Sequence, residues 1–110
     1  MKAAAASSDG ISISEHFGTT PEFLIIEIDG ESGTWSIVER RRNAAVECGA
    51  SHERAVESLG DCRAVFASKI GPHMRNALER RGIQALEITG PIDAVLEKYV
   101  AYLRRKRVIN

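Results

Sequence analysis

Residues 22–28 carry apolar side chains at both odd and even positions, with Phe23 and Ile25 on one parity and Leu24, Ile26 and Ile28 on the other. A strand with one wet face alternates apolar and polar residues, so a run apolar on both parities is expected of a strand covered on both faces. That pattern calls for packed layers on either side of a sheet, and it predicts that 22–28 is the central strand. At 110 residues the chain has room for one domain, 1–110, with a core large enough to fold without covalent staples.

The segments around this strand change rhythm along the chain. Residues 2–7 form a short small-residue run ending at Asp9-Gly10, a pair suited to a tight turn. Ile11 and Ile13 alternate with Ser12 and Ser14 as a brief second strand. After a turn at 29–33, Trp35, Ile37 and Glu39 alternate with Ser36, Val38 and Arg40, which reads as a half-exposed partner strand. From there, strand-like and helix-like segments alternate with short connections. Ser51 is a candidate N-cap for a helix through about Leu59, with Gly60 placed to end it. Residues 63–68 read as a strand. Gly71-Pro72 opens a second helix with Met74, Ala77 and Leu78 inward, and Gly82 closes it. Residues 83–88 read as the last strand. Pro91 starts a third helix whose Ile92, Val95, Leu96, Tyr99, Val100 and Leu103 follow the helical period, ahead of a basic tail at 104–110. The sum is an α/β fold: a mixed sheet, antiparallel in its N-terminal part and continued by βαβα units, with helices on its faces.

Composition narrows the function classes. Fifteen Lys and Arg balance fifteen Asp and Glu, so no global field argues for nucleic acid or an acidic membrane surface as partner. No apolar run approaches the ~20 residues of a membrane-spanning helix. Ala3 to Ala6 end at Ser7-Ser8-Asp9 and read as a strand, not as the apolar region of an export signal. Two cysteines, Cys48 and Cys62, are too few for a disulfide framework, so reduced thiols and a cytoplasmic location are expected. Phosphate loops of the Walker type, dinucleotide fingerprints, paired CxxC and HExxH are absent from the sequence. The first strand has none of the carboxylates that a ribonuclease-type sheet uses to hold two metal ions.

What remains is a small set of candidate ligands. His16 follows a strand in the loop Glu15-His16-Phe17-Gly18, where its imidazole can project from a sheet edge and Gly18 lets a bulky ligand approach the backbone. Glu15 is the neighbouring carboxylate. A surface histidine in a polar turn is the plainer reading of these residues alone. Cys48 and His52 share a helix face if the helix starts as early as Cys48, a spacing that can serve a soft metal. The alternatives are a loop thiolate beside a histidine in the first turn, or an incidental thiol and a solvated histidine. Cys62 reads as a small buried hydrophobe at a strand edge. His73, at a helix start, reads as a surface or capping residue. Arg40 to Arg42 and Arg104 to Arg107 can attract an anionic group, though solvated ends explain such runs more often.

The ordered set Ala6-Ser7-Ser8-Asp9-Gly10, Glu15-His16-Phe17-Gly18 and Glu22-Phe23-Leu24-Ile25-Ile26-Glu27-Ile28-Asp29 resembles the dinitrogenase iron-molybdenum cofactor biosynthesis family of nitrogen fixation. That family includes NifX, the NafY core domain and the C-terminal domain of NifB. The match continues through Cys48 to His52, Asp61-Cys62-Arg63-Ala64-Val65, Ile70-Gly71-Pro72, Gly82-Ile83 and Gly90-Pro91-Ile92, nearly the whole chain. The resemblance implies a ribonuclease H-like three-layer α/β/α fold, built on a mixed five-stranded sheet and without nuclease activity. It also implies binding of an iron-sulfur or iron-molybdenum cofactor precursor in transit to a cofactor-assembly or nitrogenase-like acceptor protein. In that family the histidine of the His-Phe-Gly loop, here His16, is the leading candidate ligand, with Glu15, Phe17 and Gly18 around it. The radical-enzyme domain that precedes this module in NifB has no counterpart among these residues, so its chemistry is not implied, and a non-enzymatic carrier is expected. A cubane cluster ordinarily takes four cysteine thiolates. Two cysteines would leave it incompletely held, as suits transfer. The competing expectation is a protein-interaction or regulatory module for a metalloenzyme that itself binds no metal.

Overall fold

The computed structural model describes residues 1–46 and 52–109, with the backbone alone at 52 and 107–109. Five strands form one mixed sheet: β1 (Lys2–Ala6), β3 (Glu22–Asp29), β4 (Thr34–Arg42), β5 (Cys62–Ala67) and β6 (Gln84–Glu87). Their order is β4-β3-β1-β5-β6. β1 pairs antiparallel with β3, and β3 antiparallel with β4, while β5 runs parallel to both β1 and β6. A separate two-stranded ribbon joins β2 (Ser12–Ile13) to β7 (Gly90–Pro91). The helices are α1 (His52–Ser58), α2 (Pro72–Arg80) and α3 (Ile92–Ile109).

The sheet separates two apolar cores. On one face Ala4, Ala6, Phe23, Ile25 and Val65 pack with Val56 and Leu59 of the α1 region and Met74 and Leu78 of α2. On the other, Ala3, Ala5, Leu24, Ile26, Ile28 and Phe66 pack with Ile92, Val95, Leu96, Tyr99 and Val100 of α3. The expected mixed sheet with helices on its faces is therefore observed. The central strand, however, is β1 and not 22–28. All four of its alanines, Ala3 to Ala6, are fully buried, small enough to let larger neighbours such as Phe23 and Phe66 fill both cores. Apolar residues on both parities report cover on both faces, which β3 has, and not rank in the sheet.

Three further expectations shift. The alternation expected of β4 breaks at Val38: Ile25 pairs with Glu39 and Ile26 with Ile37, so Val38 is an extra residue at a β-bulge on this edge strand. Ile37 and Val38 are both exposed as a result. Pro91 belongs to β7, opposite Ser12, and α3 starts one residue later. The basic run expected as a tail from 104 is helical through Ile109, where cations complement the negative end of the helix dipole. The second helix fits its expected bounds: proline sits in its first turn, Met74 and Leu78 are buried, and Gly82 closes it with φ +76°. Ser51, the expected N-cap of α1, lies outside the described residues.

Candidate functional site

The parallel strands β1, β5 and β6 direct their carboxyl ends to one end of the sheet, where ligand crevices of open α/β sheets form. The segment leaving β1 is rigid from its first residues. Asp9 Oδ1 accepts the Ser7 hydroxyl (3.2 Å) and the Ile11 and Ser12 backbone N–H groups (2.8 Å each), while Gly10 turns at φ +77°. Those backbone N–H donors hold the Asp9 carboxyl below the usual carboxylate range.

The chain then runs alongside the exit of β5. Ser68 N–H donates to Glu15 C=O and Phe17 N–H donates to Lys69 C=O, each at 3.0 Å, with His16 and Lys69 forming a parallel bridge pair. Phe17 is fully buried, its ring centroid 5.1 Å from that of Phe23. The carbonyl of His16 accepts from Thr20 N–H at 3.0 Å, closing the turn. Asn43, fully buried, donates its side-chain amide to Phe17 C=O (2.7 Å) and Thr20 C=O (3.0 Å). The backbone of the loop is thus fixed on both sides, while the His16 side chain is exposed. Its imidazole has no hydrogen-bond partner among the described residues. A Cβ on Gly18 would meet nothing within 4 Å, so the space outside that backbone is open.

The exit of β5 is braced separately. Glu87 Oε1 accepts Ile70 N–H (3.2 Å) and Arg75 Nη2 (2.9 Å), and Arg75 Nη1 donates to Ala85 C=O (3.1 Å). The Arg75 guanidinium holds the Glu87 carboxyl below its ordinary value. Ser68 Oγ, at the same strand exit, is a buried side-chain atom without a hydrogen-bond partner among the described residues.

The other sequence candidates distribute differently. Cys48 lies outside the described residues, and the side chain of His52, first residue of α1, is not described. Cys62 opens β5 opposite Lys2, at the end of the sheet away from His16, with its thiol raised to about 12, chiefly by burial and then by the Asp61 carboxylate. His73 is exposed in the first turn of α2, whose N-cap Gly71 supplies no side-chain cap. Arg40 and Arg41 are already engaged. Arg40 binds Glu22 at 2.7 Å, and Arg41 binds Glu39, Asp61 and the Ser58 carbonyl at 2.7–3.0 Å. Among the described residues no three His, Cys, Asp or Glu side chains group as a metal-binding set. Sequence reasoning did not single out Asn43, Lys69, Arg75 or Glu87. None has a local signal, because each acts through a contact distant in the chain.

Comparison with known proteins shows the family and the fold. Residues 1–102 match the family described as dinitrogenase iron-molybdenum cofactor. Two curated relatives are FeMo cofactor biosynthesis proteins NifB. That of Frankia alni is 35% identical, covering 94% of this chain and 21% of its own length, and that of Chlorobaculum tepidum is 31% identical, covering 82% and 22%. The chain therefore spans only about a fifth of the length of these relatives. Among solved structures, PH0822 shares the fold with TM-score 0.73 at 20% identity, covering 93% of this chain and 92% of that one. A candidate dinitrogenase of Methanocaldococcus jannaschii does so with TM-score 0.66 at 17% identity, over 94% and 90%. This chain belongs to the dinitrogenase iron-molybdenum cofactor family.

Proposed function

We propose that the chain binds an iron-sulfur or iron-molybdenum cofactor precursor and passes it to an assembly or nitrogenase-like acceptor protein during cofactor biosynthesis, in the cytoplasm and without catalysing a reaction itself. On this reading residues 1–110 act as one carrier domain of ribonuclease H-like descent. The observation that carries it is His16: an exposed imidazole, free of partners among the described residues, on a backbone fixed by Phe17, Asn43 and the bridge to Lys69. A ligand presented this way keeps its geometry with the site empty or filled, yet a single imidazole holds a cluster loosely enough to release it. Glu15, Phe17 and Gly18 shape the immediate surroundings, with Phe17 acting from within the core and Gly18 leaving room for a bulky group. Cys48 and His52 are auxiliary ligands in this proposal.

The test is anaerobic reconstitution of the purified protein with a cofactor precursor. Visible absorbance and iron co-eluting with the chain are expected, and both should be lost in His16→Ala. Unchanged retention in that variant removes His16 from the mechanism. A protein that takes up no iron at all leaves the interaction-module reading in place.

A further inference from the structure

The parallel bridge between His16 and Lys69 has a chemical consequence. Residues paired across adjacent strands project to the same face of the ribbon, and their immediate neighbours project to the other. The burial pattern bears this out, since Phe17 and Ile70, each next to one member of the pair, enter the same apolar core. His16 and Lys69 are both exposed. Lys69 has no ion-pair or hydrogen-bond partner for its side chain among the described residues. The carboxylate whose titration it influences, Glu87, is bonded to Arg75 and Ile70 N–H. Glu15, the carboxylate next to His16 in the chain, is half-buried at a bend. His73, in the first turn of α2, adds no negative charge, and that turn contains no acidic residue.

We propose that Lys69 is the electrostatic half of the His16 site: its ammonium holds an anionic cargo that the His16 imidazole ligates. The inference rests on the carrier reading of this loop and specifies its cargo as an anion. Sulfide-bridged iron clusters bearing terminal thiolates carry net negative charge, and a point charge on a flexible stem beside the ligand favours their retention without fixing one geometry. Because Lys69 is exposed, the attraction is screened by salt. It therefore weakens without any rearrangement of the loop.

The experiment uses two probes of opposite charge on the full chain. The first is a synthetic [4Fe–4S] tetrathiolate dianion added anaerobically, from which the imidazole displaces one thiolate with no change of oxidation state. The second is aqueous Ni2+, a cation that also accepts an imidazole. Lys69→Gln should retain the dianion about three- to fivefold less well at low salt, with a flatter salt dependence, and bind Ni2+ tighter at the site that His16→Ala removes. Lys69→Arg should resemble the parent protein with both probes. Equal loss of both probes in Lys69→Gln assigns Lys69 a structural role and overturns the proposal. So does dianion retention equal to the parent's. His16→Ala separates the two ideas: unchanged retention in that variant defeats the ligand reading, whereas loss in His16→Ala with full retention in Lys69→Gln defeats only the role given to Lys69.

Discussion

Asn43 reaches across the molecule to Phe17, donating its side-chain amide to the Phe17 carbonyl at 2.7 Å with both residues fully buried. Its Oδ1 accepts from Ala45 N–H at 3.0 Å, so one side chain joins the exit of β4 to the His16 loop. Asn43→Ala leaves the buried carbonyls of Phe17 and Thr20 without this donor. The expected cost is about 1–3 kcal/mol in denaturant unfolding. Hydrogen exchange should quicken at the amides of residues 17–20 before the rest of the sheet.

Phe17→Ala should cost about 3–5 kcal/mol, because it opens a cavity against Phe23 in a core with little room to relax. His16→Ala, by contrast, removes an exposed side chain with no described partner and should shift stability by no more than about 0.5 kcal/mol. Thermal melting of the two variants side by side checks the contrast. It also shows whether cluster loss in His16→Ala can be read as loss of a ligand.

The Cys62 thiol is raised to about 12, first by burial and then by Asp61. It should resist alkylation at neutral pH in the native protein and react once the chain is unfolded, as followed by mass mapping of the peptide containing Cys62. The sign of the linkage is fixed by the neutral form being favoured in the fold. The contribution is fully present below the unfolded thiol value of about 8.5 and is lost as pH rises from there through about 12. A native Cys62 that alkylates as fast as a free thiol at neutral pH contradicts this.

Asp61 titrates in the opposite sense. The Arg41 guanidinium, at 2.7 Å, holds its carboxyl well below the ordinary carboxylate range. Its contribution is therefore present above the unfolded value of about 3.9 and is lost as pH falls below it toward the folded one. Since 42% of the Asp61 side chain is exposed, solvent screening limits the pair, and Asp61→Asn should cost less than about 1 kcal/mol at neutral pH. The difference between variant and parent should shrink as acid unfolding is approached.

Glu87→Gln weakens the contacts that Glu87 makes with Arg75 and the Ile70 N–H. With both charged side chains about one third or more exposed, global stability should fall by no more than about 1 kcal/mol. The Ile70 amide should exchange faster even so. Unaltered exchange there would show that this carboxylate does not brace the exit of β5.

Part of this architecture was legible in the residues alone. The stripe Ile92, Val95, Leu96, Tyr99 and Val100 predicted α3 and its buried face, and Pro72 and Gly82 bounded α2, because helical period, proline and positive-φ glycine act within a few residues of chain. The both-parity pattern of β3 correctly reported cover on two faces. The sequence also presented His16 in a loop after a strand, together with the ordered motifs of the family.

Tertiary structure alone decided the rest. Periodicity records whether a face is covered and carries no information about which strand lies alongside, so it did not place β1 at the centre, nor Val38 at a bulge, nor Gly90-Pro91 opposite Ser12-Ile13. The site follows the same division. The residue types of the His16 loop are local facts, but its rigidity comes from Asn43, and its neighbouring charge from Lys69. Both contacts exist only because the parallel pairing of β1 with β5, and the return of β4 past the loop, bring distant segments into hydrogen-bonding range.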